Sequence, residues 1–453
     1  MIIAAPFIFY GGKTMIHRMS TPIRVDLVLN QDCNHKCLHC YNPWRDQKTR
    51  EEKYNIETIK HNIDVIAAEL KMSNVWSAIL TGGEPLLHPD VLFYCIEKLK
   101  EIDISMSINT NLTLVTPEIL DRLIKQYDWS NIILASLPSL NEEKCDEITQ
   151  ISGSYKRIIA GIDLCVKKGI KVGINTVITK KNIDDLSCYV DFVKEHNISY
   201  VSISTVIPPL YDVNNCNYYL NNNDIIALAD ALLKIKQETG VEIGSVTPLP
   251  LCVLKDADKY ISVLDTTCLA GVSKCSIDVT TGEVFACAHE ETGYGNILTD
   301  GLLNCWENMK SWSTESHLSR ECQKCKWIFI CGGECRMMQY GGRHTPLYHL
   351  DRNAEIVFGN KINVKQVDWS GEGELLQINT SFKYRREKFG YVIRCGFVET
   401  MVSESLFRLC MLLKEKGTFS LIDIASLVEN FEKSKSVINT LIQRKIIVRK
   451  EYE

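Results

Sequence analysis

The stretch LVLNQDCNHKCLHCYNPW, residues 27–44, places cysteines at 33, 37 and 40, a C-x3-C-x2-C spacing that closes an apolar run. Thiolates at Cys33, Cys37 and Cys40 would select an iron–sulfur cluster or zinc. Three is an awkward number. A structural zinc site takes four ligands, and a disulfide framework takes pairs. A four-iron cluster held by three cysteines leaves one iron without a protein ligand, open to a small molecule that chelates it and receives an electron. The alternative at this point is a zinc site that borrows His35 or His39 as its fourth ligand.

The next stretch that could do chemistry is LTGGEPLL, residues 80–87. Gly82 and Gly83 let the backbone approach a ligand closely. Glu84 offers a carboxylate, and the turn's carbonyls offer further acceptors, for a substrate ammonium. Alone, the tetrad GGEP is an ordinary turn; one β/α unit after the cysteine motif it becomes specific. A second cysteine group follows, with Cys322, Cys325, Cys331 and Cys335 spaced C-x2-C-x5-C-x3-C. Upstream lie Cys268, Cys275 and, four residues beyond Gly282, Cys287. A pair of structural zinc sites is the alternative here. The remaining cysteines (95, 145, 165, 188, 216, 252, 305, 395 and 410) read mostly as small core hydrophobes.

The elements that must position these residues are legible from periodicity. Residues 23 to about 246 alternate β-rich runs (IRVDLVL, VWSAIL, ISMSIN, NIILAS, IKVGINTVI, ISYVSIS and VEIGSV) with amphipathic stretches. The helical patterns include Ile56–Leu70, Asp90–Lys100, Pro117–Tyr127, Tyr155–Lys168 and Ile183–His196. Six or more β-then-α units in series predict a parallel sheet with helices outside, either an open sheet or a barrel. In a barrel of this kind, functional residues follow the C-terminal ends of strands. The cysteine loop follows the first strand, TGGEP the second, and the NTN of residues 109–111 closes the third, so all three share one rim.

Length and composition set the remaining bounds. The chain has 453 residues, 45% of them hydrophobic, enough for two or three domains. Its 51 Lys and Arg nearly balance 56 Asp and Glu, so the whole molecule is no polyanion binder. Residues 381–453 differ, with 14 basic and 9 acidic side chains, a net +5 on a body of −10. The first twenty residues show no basic region or cleavage site and are too short to span a bilayer, so a soluble, cytoplasmic protein is expected. Nineteen cysteines there point to metal or redox chemistry rather than disulfides.

The pair CNHKCLHC and TGGEP on successive strand ends strongly resembles the radical S-adenosylmethionine superfamily, over roughly residues 23–246. The resemblance implies a partial (β/α)6 barrel. It implies that Cys33, Cys37 and Cys40 hold a [4Fe–4S] cluster whose open iron takes the amino and carboxylate groups of S-adenosylmethionine. Gly82, Gly83 and Glu84 would bind the ammonium, and His39, before the third cysteine, would stack on the adenine. Ser136 matches a cofactor-contacting serine, while Leu137-Pro138 departs from the Asp-Gly often found after it. Asn109 and Asn175 are the further strand-end candidates. The chemistry implied is reductive cleavage to a 5′-deoxyadenosyl radical, with a flavodoxin or ferredoxin as electron donor.

The later cysteines resemble the SPASM domain, an auxiliary-cluster extension of enzymes in that superfamily, and GYGNI (293–297) and CGGEC (331–335) match its texture. The resemblance assigns Cys268, Cys275, Cys287 and Cys335 to a first auxiliary [4Fe–4S] cluster and Cys322, Cys325 and Cys331 to a second. The family usually supplies one more cysteine after CGGxC. This chain has none before Cys395, and His349 falls near the expected place, with His344 and Asp351 as competitors.

Residues 381–453 read as a strand pair, KYRREKFGYVIRCGFV, then helices over Ser403–Lys416, Ile422–Phe431 and Lys433–Lys445, and a last β run, KIIVRK. That is a winged-helix-like pattern. It resembles PqqD-like modules, which bind leader peptides by adding a strand to a sheet edge. The expected division is therefore an N-terminal extension (1–22), a partial barrel (23–250), a SPASM domain (251–350), a linker (351–380) and the winged-helix-like module (381–453). The expected function is a radical S-adenosylmethionine maturase that oxidatively modifies a precursor peptide bearing a leader, by thioether, carbon–carbon or backbone chemistry, with no nucleic-acid or membrane partner. A sulfatase-maturase-like or cofactor-precursor enzyme is one alternative. A zinc-dependent winged-helix DNA-binding regulator, with Lys433, Lys435, Arg444 and Lys445 on phosphates, is the other.

Overall fold

A computed structural model of the chain describes residues 2–3, 7–10, 13–41, 55–126, 133–207, 218–254, 256–260, 262–264, 267–314, 318, 320–323, 325, 328–333, 335–338, 375–395, 398–427, 438–442 and 444–450. Two compact units divide it. One comprises Thr21–Cys325 with Cys331–Ile356, and the other comprises Met1–Ser20, Lys326–Ile330 and Val357–Glu453.

Every β run of the barrel region forms. The strands are β1 (Arg24–Val28), β2 (Ser77–Thr81), β3 (Ser105–Thr110), β4 (Ile133–Ser136), β5 (Val172–Ile178), β6 (Tyr200–Thr205) and β7 (Glu242–Ser245). They lie side by side in chain order, each parallel to the next. Two strands from the cysteine-rich region continue the sheet beyond β1. These are β8 (Lys274–Asp278), parallel to β1, and β9 (Val284–Phe285), antiparallel to β8. The nine-stranded sheet thus crosses the boundary expected at residue 250, and the cysteine-rich region also holds the helix α8 (Ile297–Asn308).

Between the strands run α1 (Ile56–Met72), α2 (Pro89–Glu101), α3 (Pro117–Gln126), α4 (Glu142–Thr149), α5 (Ser154–Lys167), α6 (Tyr189–Glu195) and α7 (Asn222–Thr239). α1 starts where the Asn55 side chain accepts from the Thr58 N–H, and it buries Ile59, Ile63, Ile66, Ala67 and Leu70 along one stripe. Each such aliphatic side chain contributes about 1.5–3 kcal/mol on full burial. The helix expected over 183–196 instead begins as a 3₁₀ turn, Ile183–Cys188. Tertiary bonds override the local pattern there. Asn182 Nδ2 donates to the carbonyls of Pro138 (2.7 Å) and Val177 (2.9 Å), and Asp185 accepts from Ser139 and the Leu140 N–H.

Alternation along the strands sorts the sheet into two faces. One carries Val25, Leu27, Ala78, Leu80, Met106, Ile108 and Cys275, all buried. The other places polar residues in register: Lys274, Arg24, Ser77 and Ser105 in one row, and Ser276, Asp26, Ile79 and Ser107 in the next. Toward the strand ends, Asn109 lies beside Leu134, and Ser136 beside Asn175 and Ser202. Among the described residues no helix is long and apolar enough to cross a membrane.

The second unit has a four-stranded sheet in the order Ile2–Ile3, Val398–Val402, Gly390–Cys395, Lys383–Glu387, with antiparallel neighbours. The expected strand pair thus becomes three strands, and the N-terminal extension contributes a fourth. A second small sheet joins Thr418–Phe419, Leu376–Ile378 and Ile447–Arg449, so residues expected as linker supply its central strand. Helices Glu404–Lys416 and Leu421–Leu427 follow as expected, as does helix at 438–442; Lys433 and Lys435 lie outside the described residues. Leu376, Ile393, Cys410, Leu413, Phe419, Ile438 and Leu441 share their core.

α5 is held against the residues that follow β3. A Cβ placed on Gly161 would lie 2.5 Å from the Leu112 carbonyl oxygen and 3.1 Å from Val115 Cγ1. Gly161→Ala should therefore overpack this contact and cost about 1–3 kcal/mol, measured by chemical unfolding.

Candidate active site

The TGGEP turn is folded onto the segment that enters the cysteine loop. Gly83 N–H donates to the Asn30 carbonyl (2.9 Å), Glu84 N–H to the Asp32 carbonyl (2.6 Å), and Asn30 Nδ2 to the Glu84 carbonyl (3.1 Å). A Cβ at Gly82 would meet the Asn30 carbonyl oxygen at 2.6 Å, and one at Gly83 the Asp32 carbonyl oxygen at 2.0 Å. The two glycines are thus required by backbone meeting backbone.

Glu84 is 1% exposed. Its Oε1 accepts from Thr110 Oγ1 (2.6 Å) and the Leu86 N–H (3.0 Å), and its Oε2 from the Asn111 N–H (2.7 Å). Burial pushes this carboxyl above its ordinary range, and the three donors oppose that rise. A carboxylate so engaged acts first as a clamp between the end of β2 and the end of β3.

The loop itself is pinned on several sides. Asn111 Nδ2 donates to Asn34 Oδ1 (2.8 Å), and Asn34 Nδ2 to Thr113 Oγ1 (2.8 Å). Lys36 N–H and Leu38 N–H donate to the carbonyls of Thr149 and Ile148 at the end of α4 (3.0 and 2.9 Å). His35 is buried, with Nε2 3.0 Å from Ser154 Oγ. Cys33, Cys37 and Cys40 are half-buried and in no disulfide, and His39 is half-buried beside them in sequence. Asn109 and Asn175 are half-buried and Ser136 exposed, on the polar face; Asn175 Oδ1 accepts from Ser204 Oγ (3.1 Å).

The fit to an iron–sulfur cluster with an amino-acid-like cofactor rests on this geometry. Among the described residues no group of three or more His, Cys, Asp or Glu side chains is gathered around one metal-ion position. Asn30 Oδ1 is buried beside Gly82 with no hydrogen-bond partner, an acceptor suited to an ammonium donor.

The cysteines of residues 268–335 fall into groups. The Cys287 thiol is pushed up to about 12, first by burial, and Cys268 is near enough to add to that while Lys274 opposes it. Cys331, pushed up to about 11 by burial, feels Cys322 and Cys325. Cys335 and Cys268 both act on Arg336. Cys275 lies fully buried on the apolar face of β8, the face opposite Lys274. His349, His344 and Asp351 lie outside the described residues, as does Cys216. Cys95, Cys145, Cys165, Cys395 and Cys410 are buried thiols pushed to about 12, and Cys305 to about 11, in keeping with core packing. Cys188 is exposed and Cys252 half-buried.

Several functional neighbours were not singled out from the sequence. Tyr41, directly after Cys40, packs against His289 in a tilted contact with ring centroids 3.9 Å apart, and His289 Nδ1 lies 3.5 Å from Cys287 Sγ. Asp26 pairs with Lys274 at 2.7 Å on the polar face. Their alternation with apolar residues in RVDLV and KCSID was the available signal.

Residues 27–193 match the family model described as the Radical SAM superfamily, so this segment is a radical SAM domain. Over 341 residues the chain is 25% identical to the AdoMet-dependent heme synthase of Methanosarcina barkeri, covering 72% of this chain and 94% of that protein. Over 383 residues it is 27% identical to the Radical SAM cyclopropyl synthase TigE of Paramaledivibacter caminithermalis, covering 77% and 78%. Streptococcus suis SuiB bound to precursor peptide SuiA superposes with a TM-score of 0.55 at 19% identity, covering 71% of this chain and 73% of that one. That likeness is one of fold.

Glu290 gives the auxiliary region a measurable pH signature. It is 8% exposed, its Oε1 accepts from Tyr294 Oη (2.9 Å), and Tyr294 Oη accepts from Trp312 Nε1 (2.7 Å). Burial raises its pKa to about 7, from an ordinary 4.5. Between those values the folded chain keeps a proton that the unfolded chain has lost, so this group's stabilisation is lost as pH rises through 7. Glu290→Gln should gain on wild type by about 3 kcal/mol between pH 4.5 and 7.5, read from urea midpoints of the metal-free chains.

Proposed function

We propose that this chain is a radical S-adenosylmethionine maturase acting on a ribosomally made precursor peptide. The observation that carries the reading is the joint placement of the three-cysteine loop, the TGGEP turn and the NTN segment at adjoining strand ends of the radical SAM domain. In this reading Cys33, Cys37 and Cys40 hold a [4Fe–4S] cluster. Gly82, Gly83, Glu84, His39, Asn109, Ser136 and Asn175 surround the cofactor, and Asn30 Oδ1 joins them as an acceptor. The chemistry supplied by the bound cluster and S-adenosylmethionine is one-electron cleavage to a 5′-deoxyadenosyl radical, able to take hydrogen from an unactivated C–H bond.

The residues' own tasks are positional. Glu84, through Thr110 and Asn111, fixes the turn on which the cofactor's amino-acid end rests. Asn34, Thr113 and the end of α4 keep the thiols from drifting apart. Cys268, Cys275, Cys287 and Cys335, and Cys322, Cys325 and Cys331 with His349, are the proposed auxiliary-cluster ligands. Such clusters suit net oxidations, with flavodoxin or ferredoxin supplying the initiating electron.

The peptide partner is supported by SuiB, solved with its precursor peptide, and by the PqqD-like second unit. A leader binds there by strand addition. Strand Val398–Val402, which would be an edge of the sheet without Ile2–Ile3, already accepts that extended segment, with Ile2 opposite Val402 and Ile3 opposite Met401. A small-molecule precursor is the second reading, favoured by the heme synthase among the relatives.

Two outcomes are expected. The anaerobically reconstituted chain, given reductant, S-adenosylmethionine and the short peptide encoded beside it, forms 5′-deoxyadenosine; the triple Cys33→Ala, Cys37→Ala, Cys40→Ala variant forms none and binds about four fewer irons. A reduced, fully loaded wild type that never yields deoxyadenosine with that peptide sinks the proposal. Deleting residues 1–3 should tighten leader binding several-fold in fluorescence anisotropy, because the leader no longer competes for the Val398–Val402 edge.

A further inference from the structure

Arg336 follows the last cysteine of CGGEC and is 1% exposed, among the largest fully buried side chains of the molecule. Its Nη1 donates to the Trp312 carbonyl. Its Nε and Nη2 are buried with no hydrogen-bond partner, and among the described residues no carboxylate forms an ion pair with it. A guanidinium stays charged under all ordinary conditions, so it cannot escape burial by losing its proton. A buried cation lacking an anion is strongly destabilising, and two unused donors add to that cost. Cys335 precedes it in the chain, and Cys335 and Cys268 both act on its charge. Cys287 belongs to the same neighbourhood through its interaction with Cys268. As neutral thiols these cysteines do not balance a guanidinium. As thiolates on an iron–sulfur centre they form an anion that does.

We propose that Arg336 is the built-in counter-cation and hydrogen-bond donor of an anionic iron–sulfur centre on Cys268, Cys287 and Cys335, and that it sets that centre's reduction potential. The proposal rests on the reading of these cysteines as cluster ligands. One-electron reduction adds a negative charge to the centre. A fixed positive charge beside it favours the reduced form, so removing the charge lowers the potential. Arg336 is a positioning and tuning residue, since nothing places it on substrate. The Trp312 carbonyl orients one edge of the guanidinium and leaves Nε and Nη2 for the cluster's sulfur atoms.

The test is a redox titration of the auxiliary centres, followed by electron paramagnetic resonance, in the full chain carrying Cys33→Ala, Cys37→Ala and Cys40→Ala. Arg336→Gln should shift the oxidised-to-reduced ratio of one centre about tenfold at fixed potential, a midpoint about 59 mV more negative. Arg336→Lys should keep most of the wild-type value, and the centre that moves should be the one lost on Cys268→Ala. If Arg336→Gln fails to load that centre while Arg336→Lys loads it, the counter-charge role is supported by iron content alone. An unmoved potential in a fully loaded Arg336→Gln chain overturns the proposal and leaves the ligand reading standing. Loss of the centre in both variants overturns it in favour of simple packing. A chain with no iron bound through Cys268 overturns the ligand reading, and the proposal with it.

Discussion

A single buried carboxylate organises the catalytic end of the sheet. Glu84 sits where β2 ends, yet its oxygens are satisfied from β3 and from its own turn, through Thr110, Asn111 and Leu86. Removing any donor would leave an ionisable group in a low-dielectric setting with fewer bonds, which costs more than the bond itself. The turn so fixed presses two glycines against the backbone of Asn30–Asp32, and that backbone delivers Cys33. Strand register, turn and thiol placement are therefore one linked constraint.

The polar face of the sheet extends the same logic. An aqueous-facing sheet would tolerate Asp26, Ser77 and Ser276 anywhere, but here they are buried, and Asp26 Oδ1, Ser77 Oγ and Ser276 Oγ have no hydrogen-bond partner. Lys274 satisfies the other Asp26 oxygen. The face is thus rich in hydrogen-bonding capacity left over after folding, the usual condition of a surface that meets a ligand or ordered water.

Much of this was legible in the sequence because strands announce themselves by period. IRVDLVL, ISMSIN and IKVGINTVI alternate cleanly, and their order alone fixes a parallel sheet. The helix Asn222–Thr239 carries a readable signal, the Asn221–Asp224 capping box closed by Gly240, that was passed over. The short α4 is acidic and weakly periodic, and its value lies in two carbonyls that hold the cysteine loop, which no local pattern reports. Cysteine spacing displayed the candidate ligands, whereas Asn30, Thr110 and Arg336 matter through burial and partners far away in sequence. The strand pairing of Ile2–Ile3 with residues almost four hundred positions later is likewise beyond any local window.

The pairing of β8 with β1 has a mechanical meaning. The strand that launches the first three cysteines and the strand flanked by the auxiliary ones are neighbours in one ladder, from Lys274 beside Arg24 to Asp278 beside Val28. Spacing between the two cysteine-bearing segments is consequently ruled by a ladder of backbone hydrogen bonds and not by a hinge. Any variation in what this face meets would have to come from the loops above that ladder, while the distance between the two cysteine-bearing segments stays constant.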